Sequence, residues 1–326
     1  MSDDDDIVTL AHGGGGRALR FLLDRHIAPA VGPEALAHDA ARVGSMAFTT
    51  DSFVVRPLDF PGGDIGRLAV CGTVNDLAMA GARPTALSLA LILEEGLPLA
   101  DLDRYMASAA AAALEAGVSI VTGDTKVVER GHGHGVYMTT AGVGEVPDGV
   151  DIGPHRLQPG DRVLVSGDLG RHGAAILSVR ESLGFEGAVP SDAAPVNHVV
   201  AELLEAVDVH CLRDPTRGGL AAVMEELCTA VDALIDEPAI PVHPTVRAAT
   251  ELLGLDPLQL ACEGRFVAFV APEDEARALA VLRAHDPDAA AVGTLQEGPG
   301  RVWLKDAFGG TRWLQRPWGD PLPRIC

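Results

Sequence analysis

Phe60-Pro61-Gly62-Gly63-Asp64-Ile65-Gly66-Arg67-Leu68-Ala69-Val70-Cys71-Gly72-Thr73-Val74-Asn75-Asp76-Leu77-Ala78-Met79-Ala80-Gly81-Ala82-Arg83-Pro84 contains a turn, a helix and a helix stop in succession. Pro61, Gly62 and Gly63 bend the chain. An apolar helix then runs over about 65–80, and Gly81 with Pro84 beyond it is the ordinary way such a helix ends. Residues 85–93 read as a buried strand. Residues 101–116 form an alanine-rich helix closed by Gly117, and 118–123 are a strand running into Asp124. Strands alternating with helices of this length make an α/β chain.

Upstream, residues 47–51 and 52–55 are strand-like, and a helical pattern covers roughly 18–27. Before it stands His12-Gly13-Gly14-Gly15-Gly16-Arg17, and four consecutive glycines cannot rest inside a helix or strand without cost. Residues 136–146 are a further strand, and near 150 the organisation changes. Strands at 162–167 and 265–270 alternate with helices near 174–183, 196–206, 219–230 and 273–284. The expected arrangement is a unit over 1–150, an α/β unit over 151–316, and an extended tail over 317–326 stiffened by Pro317, Pro321 and Pro323.

The 326 residues suffice for two cores, and no apolar run approaches the roughly 18 residues of a membrane span. Met1-Ser2-Asp3-Asp4-Asp5-Asp6 has the wrong sign for a signal peptide, so a cytoplasmic protein is expected. Asp plus Glu outnumber Lys plus Arg 46 to 25, for a net charge of −21, which argues against a nucleic-acid partner. Cys71, Cys211, Cys228, Cys262 and Cys326 include no C-x-x-C pair, so they read as reduced thiols rather than a zinc or disulfide framework. Cys326 is distinct, because a thiol at the end of a proline-spaced arm can be carried into a pocket. A disordered end is the alternative.

Three aspartates, Asp51, Asp76 and Asp124, stand where strand ends or helix starts meet glycine or threonine. Carboxylates converging from separate segments repel one another unless a hard cation such as Mg²⁺ neutralises them. Each alone is equally a cap or turn residue. Gly13, Gly14, Gly15 and Gly16 read as a loop whose amides cradle phosphate, although no Lys-Ser or Lys-Thr follows as in a Walker motif. Arg213-Asp214-Pro215-Thr216-Arg217-Gly218-Gly219 leads into a helix and reads either as an anion site or as a capping turn. Glu263, before a strand, is a weak candidate base, and His172 a loop residue.

The stretches 49–57 and 62–84, with 12–17, Gly123-Asp124-Thr125-Lys126, 213–219, 261–264 and Pro323-Arg324-Ile325-Cys326, resemble the HypE family of hydrogenase maturation factors nearly end to end. Asn75-Asp76 and Gly123-Asp124-Thr125 are shared with the wider ATP-using superfamily of aminoimidazole ribonucleotide synthetase, thiamine-monophosphate kinase and selenophosphate synthetase. Pro-Arg-Ile-Cys is more specific to HypE. One departure is visible: Ser191-Asp192-Ala193-Ala194-Pro195 lacks the cysteine expected in that segment.

The resemblance implies an aminoimidazole ribonucleotide synthetase-like fold, α/β (α+β), whose N-terminal domain completes a β-barrel across a homodimer. It implies an ATP-dependent dehydratase that converts a carbamoyl group on Cys326 to a thiocyanate, the source of cyanide ligands for the [NiFe]-hydrogenase iron. HypF would donate the carbamoyl group and a HypC–HypD scaffold would receive the cyano group. Asp51, Asp76 and Asp124 would hold Mg²⁺ and ATP; the glycine loop and Lys126 would contact phosphates, with Asn75, Arg213, Asp214 and Arg217 also at the nucleotide. Glu263, ahead of His172, would take the proton. Selenophosphate synthetase is the nearest rival, but the first cysteine here is Cys71, far from an N-terminal reactive position. A thiamine-monophosphate kinase needs no thiol arm, and a nucleotide-binding carrier without catalysis is the alternative from another class.

Overall fold

The computed structural model describes residues 7–14, 16–32, 38–181, 189–316, 322 and 324–326. Helix α1 (Arg17–Leu22) passes through a π-helical stretch (Leu23–Ile27) into α2 (Ala28–Val31). β1 (Ala41–Val43) and β2 (Met46–Phe53) form a hairpin, and β3 (Asp59–Phe60) pairs with β4 (Gly63–Asp64). Then come α3 (Ile65–Met79), β5 (Arg83–Glu94), α4 (Leu99–Ala116), β6 (Ser119–Val128) and β7 (Val136–Glu145). The first sheet has the order β1-β2-β7-β5-β6. Only β5 and β6 are parallel, joined through α4. β6 is an edge strand with Val121 and Val127 about two-thirds exposed.

α3 explains why its stretch reads so clearly. Asp64 caps it by accepting from the Arg67 amide at 3.0 Å. Thirteen of its fifteen residues are buried, so it is enclosed nearly all round and works as a central post between the sheet, α4 and the second half of the chain. The alanines of α4, with Ala109, Ala112, Ala113 and Ala116 buried, let it lie close to α3. At Gly66 the approach is so tight that a Cβ would stand 2.1 Å from the Tyr105 carbonyl oxygen. Gly66→Ala is therefore expected to force the two helices apart and cost about 1–3 kcal/mol. The measurement is a lower urea midpoint with an unchanged slope.

The second half contains β8 (Arg162–Val165), α5 (Arg171–Arg180), α6 (Asn197–Ala206), β9 (Val209–Arg213), α7 (Gly219–Leu227), β10 (Val231–Asp236), α8 (Pro244–Leu253), β11 (Val267–Val270), α9 (Glu275–His285), β12 (Ala290–Glu297), β13 (Val302–Lys305) and β14 (Thr311–Trp313). Its sheet runs β14-β13-β10-β12-β8-β11-β9, with only β10 and β13 parallel. Both sheets are thus mainly antiparallel, which makes the fold α+β in detail. Strands β9, β10 and β12–β14 and helix α8 lie where the sequence reading assigned no element.

Two expectations change. Residues 47–51 and 52–55 are one strand, β2, because its pairing with β7 continues unbroken from Met46 to Phe53. The strand before Asp124 does not stop there. β6 continues alongside β5 as far as Val128, so Asp124 sits inside a strand. Pro317, Pro321 and Pro323 lie outside the described residues. Among the described residues, no helix is long and apolar enough to cross a membrane.

Candidate functional site

A cavity of about 620 Å³ lies where the two halves meet. Three segments bring carboxylates to its wall: Asp39 from the loop before β1, Asp76 from the last turn of α3, and Asp214 from the end of β9. One oxygen from each lies within 4.8 Å of the others. The Thr49 hydroxyl reaches Asp76 Oδ2 at 2.9 Å. Arg213 is spent here, donating to Asp39 at 3.0 Å and to Glu226 at 3.0 Å.

The cluster is electrostatically frustrated. Burial, then the charges of Asp214, Asp39 and Asp51, hold the Asp76 carboxyl well above its ordinary range. Burial and Asp39 do the same to Asp214, against the pull of Arg213. Asp39 is pushed up to about 6 by burial, with Arg213 opposing. Three oxygen ligands on rigid supports, short of positive charge, suit a hard divalent cation.

Asp51, on β2, lines the same cavity but is not one of the three; its amide partner is Ser52 at 2.7 Å. Asp124 is elsewhere. Along the sheet, β2 and β6 are three strand spacings apart, roughly 14 Å. Asp124 is exposed and pairs with Lys126, whose ammonium also holds its carboxyl below the usual range. Among the described residues of one chain, the carboxylates close enough together to share a cation are Asp39, Asp76 and Asp214; of the expected Asp51, Asp76 and Asp124, only Asp76 is among them. Asp39 was missed, since His38-Asp39-Ala40 carries no local signal.

Asn75 is not among the residues that line the cavity. Its amide donates to the Ala194 and Glu263 carbonyls at 3.1 and 3.2 Å and accepts from the Val196 amide at 2.9 Å. It bolts α3 to the segments carrying Glu263 and is fully used in doing so. Arg217, exposed on the cavity wall, donates to the Gly13 carbonyl at 3.1 Å, tying the glycine loop to the turn before α7. Gly14 and Gly16 are buried in that loop; Gly15 lies outside the described residues. Gly218 and Gly219 both have positive φ, and a Cβ at Gly219 would sit 2.6 Å from the Leu258 and Leu260 carbonyl oxygens, so glycine is required there.

Glu263 is 3% exposed and lines the cavity, and its Oε1 is buried with no hydrogen-bond partner among the described residues. Burial, then Asp214, Asp192 and Asp51, push its carboxyl well above the ordinary range while Arg217 opposes. A buried carboxyl with an unused oxygen is a group kept for a ligand or a proton. His172 is not available for that task, because both ring nitrogens are engaged, with Ser191 at 2.8 Å and the Ile325 carbonyl at 2.7 Å.

Cys326 enters the same cavity. The final segment lies beside residues 54–56, where the Val54 amide donates to the Cys326 carbonyl and the Arg56 amide to the Arg324 carbonyl, both at 3.1 Å. Leu322 and Ile325 are buried in the main core cluster. None of the five cysteines is in a disulfide, and the other four are buried.

The chain matches the N-terminal domain of AIR synthase related proteins over residues 35–146 and their C-terminal domain over 158–305. Carbamoyl dehydratase HypE of Azotobacter vinelandii is 50% identical across 331 residues, 98% of this chain and 97% of that protein. A solved HypE in complex with ATP is 44% identical with a TM-score of 0.84, covering 98% of this chain and all of that one. A HypE–HypF complex superposes with a TM-score of 0.87 at 42% identity, covering 91% of this chain and 99% of that one. With both domains matched and likeness of this degree along almost its whole length, the chain belongs to the HypE family of carbamoyl dehydratases.

Proposed function

We propose that the chain is an ATP-dependent carbamoyl dehydratase of hydrogenase maturation, and that its inter-domain cavity is where a carbamoyl group carried on Cys326 loses water. The observation that carries this reading is that Cys326 lines the same cavity as Asp76, Asp214, Arg217 and Glu263. A thiocarbamate, S–C(=O)–NH₂, cannot expel oxide. Transfer of the γ-phosphoryl group of ATP to its oxygen, with loss of one N–H proton, gives S–C(–OPO₃²⁻)=NH and ADP. Loss of the second N–H proton with departure of phosphate gives S–C≡N. The protein's part is in-line positioning, charge neutralisation and proton removal. Glu263, buried beside the cavity with an unused oxygen, is suited to take a proton; Arg217 is placed for the phosphates.

Asp39, Asp76 and Asp214 would hold Mg²⁺, which supplies charge neutralisation at the phosphates. If they do, millimolar Mg²⁺ raises the unfolding midpoint of the wild type; occupancy at a hundred times the dissociation constant is worth about 2.7 kcal/mol. Asp76→Asn removes one of three mutually repelling carboxylates. It is expected to raise the metal-free midpoint while abolishing the Mg²⁺ response, a pair of opposite signs that differential scanning calorimetry reads directly.

A second copy packed against the first sheet would cover the exposed apolar residues of β6 and bring Asp124 and Lys126 of the partner subunit towards the nucleotide. The likeness to HypE in complex with HypF supports a HypF-type carbamoyl donor, and a HypC–HypD scaffold would accept the cyano group. Intact-mass spectrometry after incubation with the donor system tests the reading. The carbamoyl mass is expected on the chain without ATP, and that mass less one water with ATP. A carbamoylated chain that never loses water when ATP is present would sink it.

A further inference from the structure

The final segment is gripped from both edges. On one side the amides of Val54 and Arg56 hold the carbonyls of Cys326 and Arg324. The Arg180 guanidinium donates to the Arg324 carbonyl and, at 2.6 Å, to that of Arg56. The Arg324 side chain returns to the Val54 carbonyl at 2.9 Å. Arg324 has φ 59, the left-handed region that strains a residue other than glycine. Its several contacts offset that strain and mark it as the bend into the docked segment.

The Ile325 carbonyl, between those of Arg324 and Cys326, has a partner of its own. It meets His172 Nε2 at 2.7 Å. His172 is wholly buried, in the first turn of α5, with the Phe60 ring edge-on at 5.1 Å. Burial lowers its pKa, which favours the neutral ring with one N–H. Ser191 Oγ accepts from the Ala193 amide at 3.1 Å and lies 2.8 Å from His172 Nδ1. The Ile325 carbonyl can only accept, so Nε2 carries the N–H; in the neutral ring Nδ1 is then the acceptor, and the Ser191 hydroxyl donates to it. Ser191 stands in the segment where the family resemblance led us to expect a cysteine.

We propose that His172, held in this tautomer by Ser191, is a positioning residue for the dehydration: it seats the Ile325 carbonyl and thereby fixes where the Cys326 sulfur stands in the cavity. The imidazole grips main chain one residue away from the reacting sulfur. It therefore holds the arm alike whether the sulfur carries hydrogen, carbamoyl or cyano. Its effect falls on the docked arm alone; loading of Cys326 by an external enzyme, which needs the arm released, does not depend on it. This inference rests on the proposed dehydratase function.

The experiment uses full-length chains carrying His172→Ala, His172→Gln or Ser191→Ala, each loaded with carbamoyl and then given ATP. Thiocyanate formation, followed by intact mass in a single turnover, is expected to slow about ten- to a hundredfold in His172→Ala. Ser191→Ala should show a smaller loss. His172→Gln, whose amide can still donate to the carbonyl, should recover part of the rate. Carbamoyl loading and ATP binding should match the wild type. Site-resolved alkylation separates positioning from misfolding: in His172→Ala, Cys326 labels faster while Cys71, Cys211, Cys228 and Cys262 stay protected. Wild-type dehydration rates in both His172→Ala and Ser191→Ala overturn the proposal, as does labelling of all five cysteines together. Should His172→Ala fail to fold, the rates of Ser191→Ala and His172→Gln decide. A wild-type chain that forms no thiocyanate refutes the dehydratase reading instead, so the two failures are distinct.

Discussion

Cys326→Ala is expected to abolish thiocyanate formation outright while leaving ATP binding and thermal stability close to wild type. The sulfur is the attachment point of the substrate, so its loss removes the reaction rather than slowing it. The fold has little stake in it, because Val54 binds the main-chain carbonyl of residue 326, which the substitution keeps. No other thiol can substitute. Burial pushes the thiols of Cys71, Cys211 and Cys228 up to about 12 and that of Cys262 well above its ordinary value, so none is a thiolate at neutral pH. Peptide mapping after incubation with carbamoyl donor and ATP checks this. Cyano label appearing on any of those four in the variant would mean that the chemistry is not tied to the docked arm.

The parts of the molecule legible in the sequence are those built from local rules. α3 was readable because a glycine turn precedes it, Asp64 caps it, and Gly81 and Pro84 end it. α4 was readable because alanines reward helix and Gly117, in the left-handed conformation, closes it. Resemblance supplied the superfamily fold and raised Glu263 from a weak candidate to the first-ranked base, since its local setting beside a glycine says nothing of burial. What escaped depends on contacts between distant segments. Asp39 acquires its role only when β9 delivers Asp214 beside it. Asp76 was placed at an element boundary and instead faces the cavity from within α3. Asp124 was read as following a strand over 118–123, yet parallel pairing with β5 carries the strand past it. His172 looked like a loop residue among glycines. It is in the first turn of α5, buried, and the final segment meets its Nε2.

Glu263→Gln is expected to lower the rate of thiocyanate formation by about 10²–10⁴-fold, with carbamoyl loading of Cys326 and ATP binding retained. The substitution keeps the size and shape of the side chain, and the main-chain contacts of residue 263 with Asn75 and Asp192 are untouched. What it removes is the ability to accept a proton. Glutamine also removes a buried negative charge from a site where Asp214, Asp192 and Asp51 oppose it, so the variant should be no less stable than wild type. That separates a catalytic loss from a folding loss. The pH profile gives a second reading. Because the folded carboxyl is held above the ordinary range, the wild-type rate should climb with pH through that raised value as Glu263 becomes able to accept a proton. The limb should vanish in Glu263→Gln. A divalent cation on Asp39, Asp76 and Asp214 cancels part of the field that raises the carboxyl, so higher Mg²⁺ should move the limb to lower pH. A limb that persists unchanged in the variant would assign the proton to another group.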